Sequence, residues 1–270
     1  MLPFILDRLA KLPLDIARLA LWLALLSVLF IPLERWLAVR HARVSRRVVI
    51  GDVLLYFFNS LAPAAVLAVL MSVVAFAAQA LLPAALPAAL GALPLAAKLA
   101  LSLLIAETGF YWGHRLSHQI PWLWRFHAVH HRPAHLYFLV NTHAHPVDMI
   151  VTRLFGMTPL YVLGLAGPGL TGSAAPALVI VVGTLWGFFI HSNLRVRLGP
   201  LEWLLATPAF HHWHHSAVAP LNRNFASTMP LLDRVFGTWH LPAAWPEAYG
   251  LAPEPAAPAA EAKSASAATQ

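Results

Sequence analysis

The chain has 270 residues, of which 59% are hydrophobic and only 11% are charged, whereas soluble domains carry about 25% charged residues. This composition argues against a freely soluble enzyme, which would lack polar surface to cover itself. The formal net charge of +7 indicates loops that face a negatively charged membrane surface rather than a nucleic acid. Because the chain has no cysteine, disulfides, iron–sulfur clusters and thiolate zinc sites are excluded.

The N-terminal part predicts a membrane-associated unit over residues 1–47. Residues 1–19 are typical of an amphipathic surface helix, although Pro3 and Pro13 interrupt its regularity. Residues 17–33 form the first apolar stretch, with no charge between Arg18 and Glu34. Because charges of both signs precede this stretch and a basic cluster follows it, we expect a membrane helix and not a cleaved signal peptide.

Four more apolar stretches follow, at 53–82, 95–113, 147–166 and 174–192. A helix that crosses the hydrocarbon core needs about 20 mostly apolar residues. The last two stretches are only about that long and flank a turn-rich linker, so a hairpin that dips partway into the membrane remains an alternative to two full crossings. The expected fold is an all-α, polytopic membrane bundle of about four to five membrane helices with a cytosolic helical cap.

The orientation follows from the arginines of the loop 34–50, which place that loop on the cytoplasmic side. These arginines are Arg35, Arg40, Arg43, Arg46 and Arg47. Counting crossings from this loop brings His114 and His191 to the same side. We therefore expect an integral protein of a bacterial-type cytoplasmic membrane, or of the endoplasmic reticulum if eukaryotic, with its histidine clusters on the cytosolic side. Residues 251–270 are rich in Ala and Pro and predict a disordered tail.

Fourteen of the fifteen histidines lie after residue 113, and eight of them fall into three motifs with helical spacing. Positions i, i+3 and i+4 of a helix share one face, so such histidines can converge on one ion. The motifs are His114 and His118; His127, His130 and His131; and His211, His214 and His215. Eight imidazoles exceed the needs of one four-coordinate zinc, and two metals of five or six coordination fit better.

The remaining histidines have less regular spacing. His212 points about 100° away from His211 on a helix and is expected not to be a ligand. For His135, His143 and His145 the pattern leaves three roles open: a metal ligand, a partner of a ligand, or an interfacial polar residue.

The histidine motifs and the text around them resemble the fatty acid hydroxylase / sterol desaturase superfamily. The segments that carry the resemblance are ETGFYWGHRLSH, PWLWRFHAVHH, HAHPVD, TPAFHHWHH and LLDRVFGTWHLP. It spans about residues 48–242, and we assign residues 48–250 to a membrane catalytic domain of this type. The resemblance implies a non-haem centre of two iron ions that uses O2 to hydroxylate or desaturate a lipid, with zinc as an ion that could replace iron in a purified form.

Carried onto this chain, the resemblance implies a ligand set of nine histidines. They are His114, His118, His127, His130, His131, His191, His211, His214 and His215. The chain departs from the family pattern in having Asp148 where an HPxE segment has Glu, and Ala226 where NYG or NFG ends in Gly. These departures leave the substrate open, whether a fatty acyl chain, a sterol-like lipid or another lipid.

Four polar residues are candidates for holding a ligating histidine or lining the substrate channel: Glu107, His145, Asp148 and Asn193. A ligating imidazole needs a partner on its second ring nitrogen. Glu107 lies two helical turns before His114, inside a membrane helix where a charge is costly.

The expected partners are a lipid substrate, the membrane lipids and a separate electron donor such as a cytochrome b5-like protein, a ferredoxin or a reductase, but no nucleic acid. Two alternatives remain. A histidine-rich metal transporter would need ionisable groups at mid-membrane on several helices. A zinc-dependent membrane hydrolase would need a glutamate base beside its ligands, as in HExxH.

Overall fold

The computed structural model describes residues 2–81, 83–166 and 170–251. Within these ranges the chain is helical and contains no strand, apart from two isolated bridges, Ala38 with Leu194 and Ser216 with Tyr249. The α-helices are α1 (Leu2–Trp36), α2 (Arg46–Leu81), α3 (Ala85–Gly91), α4 (Leu95–Gln119), α5 (Pro121–His131), α6 (Pro146–Val162), α7 (Leu170–His191), α8 (Pro208–His214) and α9 (Leu231–Val235). Two short 3₁₀ helices cover Phe138–Thr142 and Gly199–Trp203.

Four helices in the described ranges are long and apolar enough to cross a membrane: Ala10–Trp36, Arg46–Leu81, Leu95–Gln119 and Ala174–His191. This confirms the predicted fold class, an all-α bundle with four to five membrane helices. The stretch predicted at 147–166 forms α6, which has only 17 residues. The predicted surface helix and the first membrane segment are one continuous helix, α1, which runs through Pro13. The tail predicted to be disordered lies, from residue 252 on, outside the described residues.

Helix α6 packs against α2 and α4 in the interior of the bundle. Its contact with α4 is unusually close because glycines replace side chains on both helices. A Cβ atom on Gly109 would lie 2.1 Å from the carbonyl oxygen of Phe155, and one on Gly156 would lie 2.6 Å from the ring of Phe110. The backbones of α4 and α6 therefore depend on these two glycines for their separation.

Helix α1 is tied to the bundle near its C-terminal end by a carboxylate. The side chain of Glu34 accepts hydrogen bonds from the backbone N–H of Phe138, at 2.8 Å, and of Asn193, at 2.9 Å. Phe30 stacks on the ring of Phe138, with ring centroids 5.5 Å apart. These contacts join the end of α1 to the segment after α7 and to the first 3₁₀ helix.

The C-terminal ends of α4 and α7 meet the N-terminal end of α6, together with α5 and α8, at one end of the bundle. His114 and His118 lie in the last turns of α4, and His191 is the last residue of α7. The structure thus brings together the two helix ends that the count of membrane crossings placed on the same side.

The glycine contact predicts that Gly109→Ala destabilises the protein. The new methyl group would collide with the backbone of α6, which cannot rotate away, and such overpacking costs about 1–3 kcal/mol. We expect a lower thermal unfolding midpoint in detergent, followed by tryptophan fluorescence. The control is Gly51→Ala in α2, whose Cβ would meet nothing within 4 Å. Equal midpoints for the two variants would contradict this packing.

Candidate metal centre

Nine histidines gather at this end of the bundle in two groups. Within each group the candidate ligand atoms all lie within 4.8 Å of one another. Site 1 consists of His114, His118, His127, His131 and His214. Site 2 consists of His130, His191, His211 and His215. The two sites together contain all nine histidines of the expected ligand set.

Local helical geometry explains how one motif serves two sites. Consecutive residues of a helix point about 100° apart. In α5, His130 therefore belongs to site 2 and His131 to site 1. At the end of α8, His214 belongs to site 1 and His215 to site 2. Helix α8 begins with Thr207 as its N-cap, whose side chain accepts from the backbone N–H of Phe210, and Pro208 follows at its first position.

The two sites share a wall of imidazole rings. The rings of His131 and His215 stack with centroids 4.4 Å apart, and those of His211 and His214 stack at 5.1 Å. All four side chains are buried. Ions held in the two sites would therefore be close neighbours.

Backbone carbonyls fix the tautomer of four ligand candidates. A carbonyl oxygen can only accept, so the ring nitrogen that faces it must carry the proton. The four hydrogen bonds run from Nδ1 of His114 to Phe225 O at 2.7 Å, of His130 to His143 O at 3.1 Å, of His191 to Gly187 O at 2.7 Å, and of His214 to Arg223 O at 2.8 Å. Each of these rings consequently presents a lone pair at Nε2.

The lone pairs point at one another. Nε2 of His130 lies 3.1 Å from Nε2 of His191, although Nδ1 carries the proton in both rings. His114 and His127 oppose each other in the same way at 3.1 Å, and Nδ1 of His127 faces the carboxylate of Asp148 at 3.0 Å. Two buried lone pairs at this distance repel unless a cation lies between them, so the residues present fit a metal ion.

The nitrogen spacing also bears on coordination. Neighbouring Nε2 atoms within a site are 2.9–3.2 Å apart. With metal–nitrogen bonds of about 2.1 Å, ligands at right angles are separated by about 3.0 Å and tetrahedral ligands by about 3.4 Å. The observed spacing fits an ion of five or six coordination better than tetrahedral zinc.

Five of the ligand candidates outside the membrane-length helices are held neutral. Burial, followed by the mutual repulsion of neighbouring imidazoles, places the pKa well below its usual range for His130, His131, His211, His214 and His215. Since only the neutral imidazole is a ligand, the rings are ready to bind metal without first losing a proton.

His212, which the helical spacing set apart from the ligands, lies outside both sites. Its Nε2 donates to the backbone oxygen of Ser192 at 3.0 Å, and its Nδ1 accepts from the hydroxyl of Tyr249 at 2.8 Å. Burial lowers the pKa of His212 to about 3. Its two partners give it a packing role, holding the segments after α7 and before residue 250 together.

None of the three irregular histidines belongs to either site, although the backbone oxygen of His143 accepts from Nδ1 of His130. His135 is exposed. His143 donates from Nδ1 to the buried carboxylate of Asp52 at 2.5 Å. His145 caps α6, where its Nδ1 accepts from the backbone N–H of Val147 at 3.2 Å.

The other polar candidates have different surroundings. Asp148 is the one that contacts a ligand candidate, His127. Glu107 accepts from the backbone N–H of Ser227, at 2.9 Å, and of Thr228, at 2.6 Å. It therefore holds the segment between α8 and α9.

Asn193 accepts from the backbone N–H of Val39 and of Arg40, and it donates to the backbone oxygen of Arg40. It thus fixes the chain after α1, and its side-chain hydrogen bonds do not reach the histidine rings.

The sequence reasoning missed the loop after α8, which orients three histidines. Besides the carbonyls of Arg223 and Phe225, the Oδ1 atom of Asn222 lies 3.1 Å from Nδ1 of His118. Asn222 and Asn224 both have φ of 58°, a left-handed conformation that Asn adopts more readily than most residues. The two asparagines in LNRNFA were the available signal for a tight loop.

The carboxylate of Asp233 holds this loop in place. It accepts from the backbone N–H of Phe225 at 2.7 Å and of Ala226 at 2.8 Å. Burial raises the pKa of Asp233 to about 6.

Comparison with known proteins agrees with this geometry. The family model described as fatty acid hydroxylase matches residues 99–238, which is more than half of the chain and includes both sites. The chain belongs to the fatty acid hydroxylase family. The resemblance drawn from the histidine motifs is thereby confirmed.

Named relatives in this family include several lipid enzymes. The chain is 37% identical to ornithine lipid hydroxylase OlsE of Rhizobium tropici over 150 residues, which cover 55% of this chain and 44% of the relative. It is 30% identical to alkylglycerol monooxygenase of Xenopus tropicalis over 140 residues, covering 52% and 30%, respectively. It is 31% identical to methylsterol monooxygenase 2-2 of Arabidopsis thaliana over 156 residues, covering 53% of each.

The match thus spans only about a third to a half of the length of these relatives. No solved structure matches the chain.

In this member of the fatty acid hydroxylase family, two cavities lead to the histidines. The larger has a volume of about 930 Å³ and is lined mainly by apolar side chains of α1, α2, α4, α6 and α7. The smaller, of about 170 Å³, is lined by His114, His127, His130, His191 and His211. Both cavities are lined by Phe110, Asn141, Met149, Thr152, Gly183 and Ser227. These six residues therefore form the boundary between an apolar chamber and the metal centre.

The two-site geometry predicts two metal ions per chain, and it predicts that removing a ligand from one site loses the ion of that site only. His130→Ala removes a ligand candidate of site 2, and His127→Ala one of site 1. We expect each variant to bind about one ion fewer than the unmodified protein, measured by elemental analysis after metal loading and desalting.

The matched control is His135→Ala, an exposed histidine outside both sites, which should leave the metal content unchanged. A metal content that is the same in the unmodified protein and in both site variants would contradict the assignment.

The contact of Asp148 with His127 predicts a weaker site 1 in Asp148→Asn. The amide keeps the shape of the side chain but removes the negative charge that favours the ligating tautomer, and losing such a partner lowers metal affinity about 10- to 100-fold. Competition with a metal chelator measures the change. Glu247→Gln, at an exposed carboxylate, is the control, and an affinity equal to that of this control would show that Asp148 does not support site 1.

Proposed function

We propose that the protein is a membrane-bound, non-haem di-iron oxygenase that hydroxylates a lipid substrate with O2 and external electrons. The observation that carries this proposal is the pair of adjoining sites, built from five and four imidazoles of which seven are buried, at the end of an apolar cavity. An all-nitrogen set of this kind suits iron, and the ligand spacing favours an ion of five or six coordination.

When bound, a pair of redox-active irons would supply the activation of O2 that an unactivated C–H bond requires. The protein would hold the irons and keep water away from them. Site 1 would hold one ion through His114, His118, His127, His131 and His214, and site 2 the other through His130, His191, His211 and His215. Asp148 would keep the proton of His127 on Nδ1, so that Nε2 stays a ligand.

The apolar side chains that line the two cavities would exclude water and accommodate the lipid in this proposal. Phe110, Ile190 and Phe225 line the small cavity beside the histidines. Their side chains would exclude bulk water from the reaction and leave room for a hydrocarbon segment of the substrate. The larger cavity would hold the rest of the lipid, because its lining is mainly apolar and its size is that of a ligand pocket.

The choice of hydroxylation rests on the relatives. The three similar proteins named above are a hydroxylase and two monooxygenases. Desaturation of the same kind of C–H substrate is the close variant of this proposal, and product analysis separates the two.

The histidine end of the bundle would face the cytoplasm. Asn193, two residues after His191, binds the backbone of Arg40, so the arginine-rich segment after α1 lies at the same end as the metal centre. Arginine-rich short loops are retained on the cytoplasmic side. A cytosolic or membrane-associated electron donor would then reach the centre from that side.

The proposal predicts a lipid product that depends on iron and O2. Protein purified without oxygen, loaded with ferrous iron and supplied with a reductant, should transfer one isotopically labelled oxygen atom from O2 into a lipid of the host membrane. Mass spectrometry of the extracted lipids detects the product, and Mössbauer spectra follow oxidation of the iron. Neither His130→Ala nor His127→Ala should form the product, because each removes a ligand of one ion.

His135→Ala should form the product normally. A protein that holds zinc tightly and releases an acyl chain or head group without consuming O2 would contradict the proposal and favour a hydrolase. A product with a new double bond and no labelled oxygen would identify a desaturase.

A further inference from the structure

The large cavity contains one positively charged side chain, that of Arg153 in α6. The residue is half-buried, because its side chain borders the cavity while helices enclose it elsewhere. A guanidinium keeps its charge at any physiological pH, and an arginine within the apolar part of a membrane protein is costly. Such a residue needs an anionic or strongly polar partner.

Arg153 has no such partner in the part of the chain that the structure describes. No carboxylate there lies within 4.0 Å of its guanidinium, and no hydrogen bond joins the guanidinium to another described residue. The one carboxylate that lines the same cavity belongs to Glu107. Its oxygens are already occupied by the backbone N–H groups of Ser227, Thr228 and Met229 and by the hydroxyl of Ser227.

The position of Arg153 along α6 relates it to the metal centre. Met149 and Thr152 line both cavities, whereas Arg153 lines the large cavity alone. The helix rises about 1.5 Å per residue, so Arg153 lies only about 6 Å along the axis from Met149. The large cavity continues well beyond this point, to Tyr161 at the far end of α6 and Ala75 on α2.

We propose that Arg153 binds the anionic group of the lipid substrate, a carboxylate or a phosphate, inside the large cavity and close to the metal centre. The hydrocarbon tail then fills the cavity toward Tyr161, and the carbon that reaches the small cavity lies a few bonds from the anionic group. The substrate class is thus an anionic lipid modified near its head group and not at the far end of its chain. The position of the reacting carbon rests on the proposed function, whereas the binding of the anion by Arg153 does not depend on it.

Three lipids with the same acyl chain test this proposal: oleate carries a carboxylate, oleoyl lysophosphatidate a phosphate, and monoolein no charge. Binding to the purified full chain in neutral detergent is measured by native mass spectrometry, at a pH at which both acidic lipids are ionised. A charge-assisted pair in a water-poor cavity should favour one or both anionic lipids over monoolein by about tenfold or more. The lipid that binds tighter identifies carboxylate or phosphate as the group recognised.

Arg153→Gln should remove this preference and leave the binding of monoolein unchanged. The control is Arg125→Gln, which removes an exposed arginine of α5 that does not line the cavity, and the preference should survive. If Arg153→Gln does not fold, Arg153→Lys takes its place. Lysine keeps the charge but loses the two-pronged geometry of arginine, so the preference should weaken without vanishing.

Equal binding of the three lipids by the unmodified protein would overturn the proposal, and so would an anion preference that persists in Arg153→Gln. Because these assays use no iron, O2 or reductant, their failure leaves the proposed oxygenase reaction standing. Conversely, a protein without oxygenase activity could still show the anion preference.

Discussion

The structure depends most on the backbone hydrogen bonds that turn the histidine rings inward. In His130 and His191 a carbonyl oxygen holds the proton on Nδ1, which leaves two Nε2 lone pairs only 3.1 Å apart. That arrangement is unfavourable in a buried space unless a cation bridges the rings. The arrangement of the rings therefore favours binding of a cation between them. The other contacts at this end of the bundle hold the rings in that arrangement.

The membrane helices hold the histidine rings in these positions. Helices α4 and α7 deliver histidines at their ends, while α5 and α8 are short helices whose consecutive histidines separate into the two sites. Helix α6, which lies close to α4 at Gly109 and Gly156, also carries Asp148, whose carboxylate faces His127. The same packing leaves an apolar chamber beside the rings, so one arrangement of helices creates both the candidate metal centre and the access to it.

Much of this could be predicted from the sequence because the signals are local. Apolar stretches of membrane length identify the long helices, and the spacing of His127, His130 and His131 identifies a shared face. The division of that motif between two sites, with His130 in site 2 and His127 and His131 in site 1, was seen only in the structure. Asp148 was one of four candidates for holding a ligating histidine or lining the substrate channel, but the sequence did not indicate that it would contact His127.

The rest depends on contacts between distant parts of the chain. The carbonyls that orient His114 and His214 come from the loop after α8, whose shape depends on two asparagines with positive φ and on Asp233. Every residue has a backbone oxygen, so the sequence does not show which of these oxygens will contact a histidine. Glu107 was a candidate for holding a ligating histidine or lining the substrate channel. It lines the large cavity, and its carboxylate also holds the segment at Ser227, more than a hundred residues away. The position of Arg153 at the large cavity likewise depends on how the helices pack and could not be predicted from the spacing of residues in the sequence.

The most direct test of the account is X-ray absorption spectroscopy of the iron-loaded, reduced protein. We expect iron surrounded by about four to five imidazole nitrogens at about 2.1 Å, with a second iron close enough to contribute to the spectrum. Iron bound mainly by oxygen ligands, or isolated ions with one or two imidazoles each, would contradict it.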